Sequence, residues 1–278
     1  MASLRVAYLG PIGTFSHIVA RQRFGGEAGL LPRADLTGII DFVREDGGER
    51  ALVPVENTSG GTIYGTVDLL IESAERVFVT ESIALDVRMA LIGREGERIE
   101  RVFSHSVQLH NHREWFRENL PGVEVESVAS TALAAELARD QRGAAALSAP
   151  GAAEIYGLDV LRCPILEGPG NVTHFFVLAG ERQAPPEATM ARTAVAVSFG
   201  NEPGSLFRFL EPFARAEVNV NRIISRPFPG RVDQVMFFLE IDGAPGSETF
   251  DEVMRVARDR SEVLIDFGSY GYAKKFRS

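Results

Sequence analysis

The sequence predicts an α/β chain in two parts, on three observations. Short apolar runs alternate with amphipathic segments from the start to about residue 157, the sign of strands and helices layered on a largely parallel sheet. That rhythm stops at LAGERQAPPEATMART (178–193), a polar stretch with Pro185 and Pro186 that reads as a linker. Beyond it the segments follow the order βαββαβ, the ferredoxin-like arrangement.

The elements follow in order. LRVAYLG (4–10) is a short apolar strand, PIGTFS a loop and HIVARQRFG (17–25) a helix. ALVPV (51–55) is a buried strand, followed by the polar packet ENTSGG and then TVDLLIES as helix. RVFVTESIALDVRMALIG (76–93) reads as one or two strands. RVFSH (101–105) leads into the helix QLHNHREWFREN, VEVESVA (123–129) into STALAAELARDQ, and GAAALSA (143–149) into a short helix ending at AAEIYG. GNVTHFFVL (170–178) is the strand ahead of the linker. In the second part TAVAVSFG (193–200) is a strand and GSLFRFLEPFARA (204–216) a helix. VNVNRIISRPF (218–228) and VDQVMFFLEIDG (232–243) form a strand pair joined by PGR. SETFDEVMRVARDR (247–260) is a helix and SEVLIDFGSY (261–270) a final strand.

Composition narrows the function. The chain has 278 residues, 45% of them hydrophobic, enough for a substantial core. Its net charge is −9 and it has no dense basic run, which argues against nucleic acid as a partner. Cys163 is the one cysteine, so no internal disulfide is possible; it is expected as a small buried hydrophobe. The opening MASLRVAYLG has no apolar leader, and no run approaches the roughly 18 apolar residues of a membrane span, so a cytoplasmic location without membrane partners is expected. His110 and His112 lie two apart and do not share a helical face, and there is no HxxxH. GPIGTFS carries neither a Walker lysine nor dinucleotide glycine spacing, so no metal or cofactor is expected.

The polar residues collect where strands end. Four loops open helices with hydroxyl or glycine groups: Gly10–Ser16, the 56–62 packet, Ser104-His105-Ser106 and Ser130-Thr131-Ala132. In an open parallel sheet those loops share one edge, where ligands bind, and helix N-termini suit anions. Each hydroxyl read alone is accounted for as a helix cap. Four loops with one pattern favour a cradle for a small carboxylate ligand. Glu56 is the exception, since it repels an anion; it orients the loop or meets a ligand hydroxyl. In NVTHFFVL, period-2 alternation puts Thr173 and Phe175 on one face and His174 on the other. A hydroxyl beside a ring suits a donor placed against an unsaturated ligand. A β-branched threonine filling a strand position is the plainer alternative.

These pieces together resemble the prephenate dehydratase family. The resemblance runs through YLGPIGTFSH, VPVENTSGGTI, STALAAELA, NVTHF, GSLFRFLEPFARAEVNVNRIISRPF and DFGSY, in order along nearly the whole chain. It implies a bilobal, periplasmic-binding-protein-like catalytic domain over 1–182 and a ferredoxin-like ACT regulatory domain over 192–278. It implies a cofactor-free reaction in which prephenate loses carbon dioxide and water to give phenylpyruvate, on the route to phenylalanine. Thr173 carries over as the catalytic residue that meets the departing hydroxyl. The substrate set implied around it is Thr14, Phe15, Ser16, Asn57, Thr58, Gly60, Ser104, Ser130, Thr131 and Phe175. The effector set, for phenylalanine between paired ACT domains of a homodimer or homotetramer, is Gly204, Ser205, Leu206, Ser225 and Arg226.

The chain departs from the family pattern at three places. His174 stands where the family has Arg, Ser106-Val107 replaces Pro-Gln with Gln108 one place late, and Ile224 replaces a Glu in the effector motif. Arogenate as substrate, a non-aromatising prephenate decarboxylase, and a non-catalytic small-molecule sensor are the competing readings.

Overall fold

The computed structural model of the protein describes residues 4–44, 49–165, 171–184, 191–231 and 234–278. The chain enters through β1 (Arg5–Leu9), whose Val6, Ala7 and Tyr8 are all buried, as befits a strand with neighbours on both sides. Thr14 accepts a hydrogen bond from the His17 backbone N–H and so caps α1 (Phe15–Phe24), which draws Phe15 and Ser16 out of the expected loop into the first helical turn. β2 (Gly29–Arg33) and α2 (Leu36–Arg44) follow, neither anticipated from sequence. β2 carries Pro32 and stands at the sheet edge, where a missing N–H costs no ladder bond.

β3 (Arg50–Asn57) runs two residues past its expected end and takes Glu56 and Asn57 into the strand. β4 (Gly61–Thr62) turns back on it, and α3 (Tyr64–Glu72) follows. The stretch 76–93 is two strands in different sheets. β5 (Phe78–Val87) belongs to the first and β6 (Ala90–Gly93) to the second. The second sheet is completed by β7 (Arg101–His105), β8 (Glu124–Val128), β9 (Ala144–Ser148) and β10 (Asp159–Arg162), a strand that sequence reasoning missed. The helix expected over 108–119 is broken into α4 (Ser106–Asn111) and α5 (Arg113–Asn119) at His112, whose Nδ1 lies 2.8 Å from the Gln108 carbonyl oxygen. α6 (Thr131–Asp140) and α7 (Gly151–Tyr156) lie where expected.

β11 (Asn171–Ala179) returns to the first sheet, between β5 and β3. The order there is β5-β11-β3-β1-β2, and in the second sheet β10-β6-β9-β7-β8. Both are mixed rather than largely parallel: β11 is antiparallel to both neighbours, while β1 pairs parallel with β2 and β3, and β7 pairs parallel with β8 and β9. The linker expected over 178–193 is shorter, because β11 reaches Ala179 and β12 (Ala191–Ser198) has begun by Ala191; residues 185–190 lie outside the described set.

The second part is βαββαβ, as expected: β12, α8 (Ser205–Arg215), β13 (Val220–Pro227), β14 (Val235–Asp242), α9 (Glu248–Asp259) and β15 (Val263–Arg277). Its strand order β13-β14-β12-β15 is the ferredoxin-like one. Phe209 and Phe213 of α8 and Phe250, Val253 and Ala257 of α9 recur at helical spacing and bury one face of that sheet. β15 does not stop near Tyr270. It continues to Arg277 and pairs parallel with β5, so one sheet runs through both parts. On the other face of that sheet one core cluster draws on both parts, with Val53, Val55 and Phe176 packed among Ile224, Phe238, Phe267 and Tyr270. Cys163 is exposed, contrary to expectation. No helix among the described residues is long and apolar enough to cross a membrane.

Candidate active site

β11 separates the site from the second part of the chain. Phe175 and Val177 face one core cluster, which reaches into the second lobe through Val102, Trp115 and Leu147. Phe176 and Leu178 face the cluster shared with the second part. Thr173 therefore points toward the second lobe and His174 toward the second part, as the alternation requires.

At the start of β11 the register places Thr173 opposite Asn57 and His174 opposite Glu56. The Asn57 side chain is fixed on both sides. Its Oδ1 accepts from the backbone N–H groups of Ser59 and Gly60, each at 2.9 Å. Its Nδ2 donates to Thr173 Oγ1 and to Asn171 Oδ1, each at 2.8 Å. Two N–H donors on one side and two oxygens on the other leave a single sensible orientation of the amide. Thr58 adds two bonds across the same strands: its N–H donates to the Val172 carbonyl, and its Oγ1 accepts from the Val172 N–H, both at 2.9 Å. The polar packet is thus a turn stapled to the start of β11. Because Asn57 occupies an acceptor position on Thr173 Oγ1, the threonine proton remains available to a ligand. Thr173 is 8% exposed, so that proton has little competition from bulk water.

The other loops divide. Thr14 Oγ1 lies 3.0 Å from the Leu9 carbonyl and 2.9 Å from the Pro11 carbonyl besides capping α1, so its hydroxyl is committed. Ser16 is buried on α1 and Phe15 packs against the core. Ser104 is completely buried and donates to the Leu147 carbonyl at 2.6 Å; it braces β7 against β9 and is not presented to a ligand. Phe175, expected as a ring wall, is 1% exposed within the core. Ser130 caps α6 by accepting from the Leu133 N–H at 3.0 Å, which leaves its own proton free to donate. Thr131 is nearly buried, and its carbonyl receives the Ser148 hydroxyl at 2.9 Å. Gly60 stays exposed at the turn. The loops of the two lobes meet where Tyr156 of α7 donates to the Ile12 carbonyl at 2.8 Å. Nothing in the spacing of Tyr156 marks that contact.

The environment of His174 was not legible in sequence. Burial pushes its imidazole below the ordinary value and the Arg222 guanidinium adds to this, while Glu56 and Glu240 pull it back up and Arg192 opposes them. Arg222 bonds the Glu56 carboxylate across the junction and lies 2.5 Å from Glu240 Oε2, an ion-pair contact at Nη1 without hydrogen-bond alignment. Tyr270 donates to the other Glu240 oxygen, and burial, then the neighbouring carboxylate, holds its phenol well above the ordinary range.

The effector set divides as well. Gly204, at φ +81, precedes α8, and Ser205 Oγ accepts from Arg208 at 3.1 Å. Leu206 is half-buried on the first turn of α8. Ser225 is exposed on edge strand β13, in a row with Phe237 and Val197, at the end of the sheet where α8 begins. Arg226 is elsewhere engaged, in a bidentate pair with Asp68 of α3 at 2.5 and 2.6 Å. Ile224 shares its face and is buried in the junction core.

Comparison with known proteins bears on the whole chain. The prephenate dehydratase family profile matches residues 6–183. A prephenate dehydratase from Mycolicibacterium smegmatis is 34% identical over 280 residues, covering 96% of this chain and 90% of the relative. The solved structure of the prephenate dehydratase from Arthrobacter aurescens in complex with L-Phe superposes with a TM-score of 0.86 at 28% identity, covering 97% of this chain and 90% of that one. A structure described as a novel type of quorum-quenching acylase superposes with a TM-score of 0.87 at 25% identity, over 97% of this chain and 98% of that one. With a profile match across both lobes and a relative aligned along nearly its entire length, the chain belongs to the prephenate dehydratase family.

Proposed function

We propose that the end of β3 and the start of β11, with Asn57, Thr58 and Thr173, together with Ser130 at the start of α6, bind prephenate and convert it to phenylpyruvate, carbon dioxide and water. The bond from the ring to its carboxylate breaks and supplies the electron pair that aromatises the ring. The ring hydroxyl leaves and takes up one proton to become water. Aromatisation drives the reaction, so the protein's task is to place a donor at the departing oxygen. The observation that carries this reading is the Asn57 amide donating to Thr173 Oγ1, which leaves the threonine proton free to be donated to a ligand. A neutral threonine acts here by hydrogen bonding and positioning more than by full proton transfer. Ser130 and the N-terminus of α6 suit a substrate carboxylate. Acyl transfer fits less well: the Thr14, Ser104 and Ser148 hydroxyls are engaged by backbone carbonyls and Thr173 by an amide, whereas a nucleophilic hydroxyl needs a base beside it.

The second part acts as an ACT-type regulatory domain that binds phenylalanine and lowers activity in a homodimer or homotetramer. A cavity of about 500 Å³ lined by Phe199, Glu202, Ser205, Arg208, Phe209 and Arg260 opens at the start of α8. Ser225 stands at the same end of the sheet. A partner subunit would complete the pocket.

The test is turnover of prephenate followed by the ultraviolet absorbance of phenylpyruvate in alkali, with arogenate and an N-acyl amide run alongside. Phenylpyruvate is the expected product, and Thr173→Ala lowers its rate by about 10²-fold or more. Near-normal turnover in that variant overturns the role of Thr173. Loss of prephenate without the chromophore overturns the reaction. Phenylalanine titrated during turnover, with parallel light scattering, is expected to inhibit and to change assembly or shape.

A further inference from the structure

We propose that Arg222, on the second part of the chain, is a positioning residue for the Asn57–Thr173 pair and acts through Glu56, a step that rests on the role of Thr173 argued above. β13 turns Arg222, Ile224 and Arg226 to one face, against the first lobe. Arg222 holds Glu56, the residue immediately before Asn57. Arg226 grips Asp68 on α3. The stretch from Glu56 to Asp68 carries Asn57, the turn and the start of α3, and β13 ties it down at both ends.

The contact is expensive as a stabilising device. The Arg222 side chain is 13% exposed and that of Glu240 3%, so both charges are largely desolvated. A buried ion pair of this kind contributes little net stability against an apolar substitute. Its geometry is specific, however. The planar fork reaches Glu56 with one nitrogen and Glu240 with another, and Tyr270 holds Glu240 from behind. Glu240 on β14 is thereby the anchor and Glu56 the part being placed, with a side chain 34% exposed that water would otherwise claim. Consecutive side chains of a strand point to opposite faces, so the grip on Glu56 sets the roll of the backbone that aims the Asn57 amide at Thr173.

The test uses the full chain with Arg222→Met, Arg222→Lys, Glu56→Gln, the Arg222→Met/Glu56→Gln double variant, and Arg222→Met combined with Thr173→Ala. Arg222→Met is expected to lower kcat for prephenate about ten- to a hundredfold and to change KM by less than about threefold, as for misplacement of a reacting group. Arg222→Lys, which keeps the charge and loses the fork, falls between it and the parent. The losses from Arg222→Met and Glu56→Gln do not add, and Arg222→Met costs nothing further once Thr173 is Ala. A folded Arg222→Met with kcat within about twofold of the parent, additive losses, or a rise in KM alone would overturn the proposal. If Arg222→Met does not fold, Arg222→Lys is judged by the same criteria. If Thr173→Ala keeps its turnover, the role of Thr173 falls by itself, and the Arg222/Glu56 pair still shows whether the arginine places the end of β3.

Discussion

At the scale of single residues, the site rests on one carboxamide. Asn57 accepts two backbone N–H groups and donates to two side-chain oxygens, so its orientation is determined without a ligand. The face that Thr173 occupies was legible because alternation along NVTHFFVL is a local rule, whereas its catalytic role was implied by the family resemblance. Its partner was not, since Asn57 lies 116 residues away and meets it only through strand pairing. His174 tests the other face of β11. Its pKa is depressed, so the folded chain prefers the neutral imidazole. As pH falls through the ordinary value of 6.5, the unfolded chain binds the proton first and stability declines, until folded His174 is protonated as well. At higher pH the effect is absent. Urea midpoints at pH 8 and pH 5.5 are expected to differ less for His174→Gln than for the parent. A residual slope should persist, because His17 and His112 are depressed by burial too. An unchanged difference would show that His174 does not titrate at the junction.

At the scale of elements, capping and packing engage several hydroxyls that sequence reasoning had offered to a ligand, although the Ser130 proton stays free. Thr14 and Ser130 do cap their helices, and Ser104 braces two strands. Residue type signals a hydroxyl at a strand end, but whether its proton goes to a carbonyl or to a ligand depends on what packs beneath it. The loop after β1 shows the same dependence. Gly13 has φ +89, and a Cβ there would lie 2.7 Å from Cε2 of Tyr156 on α7. Gly13→Ala is therefore expected to cost about 1–3 kcal/mol, from the left-handed backbone and the clash together. It should also loosen the contact between the lobes and raise KM for prephenate. Chemical denaturation and steady-state kinetics check both, and an unchanged urea midpoint would mean the loop shifts freely.

At the scale of the whole molecule, the two parts are joined by more than a linker. β15 pairs with β5, the Gln22 side chain donates to the Arg277 carbonyl at 2.8 Å, and Ser278 bonds the backbone of Arg88. Phe176 of the first part meets Tyr270 and Phe238 of the second at 5.5 and 6.3 Å between ring centroids. Calorimetry is expected to show one cooperative transition for the full chain. A chain ending at Tyr270 should melt at least about 5 °C lower and separate into two transitions. Two transitions in the full chain would show that the continuous sheet does not couple the parts.

What the amino-acid sequence determined by itself is the local and the periodic. It set the α/β alternation, the βαββαβ order of the second part, the faces of β11 and the polar packet at the end of β3, because these depend on neighbours within a few residues. Tertiary structure alone decided the antiparallel insertion of β11, the extension of β15 into the first sheet, and the placement of Ile224 and Arg226 at the junction. It also brought Arg222 to Glu56 across 166 residues of chain. Those outcomes turn on which strand edges pair and which buried charges find partners, and both are settled only when segments far apart in sequence compete for the same contacts.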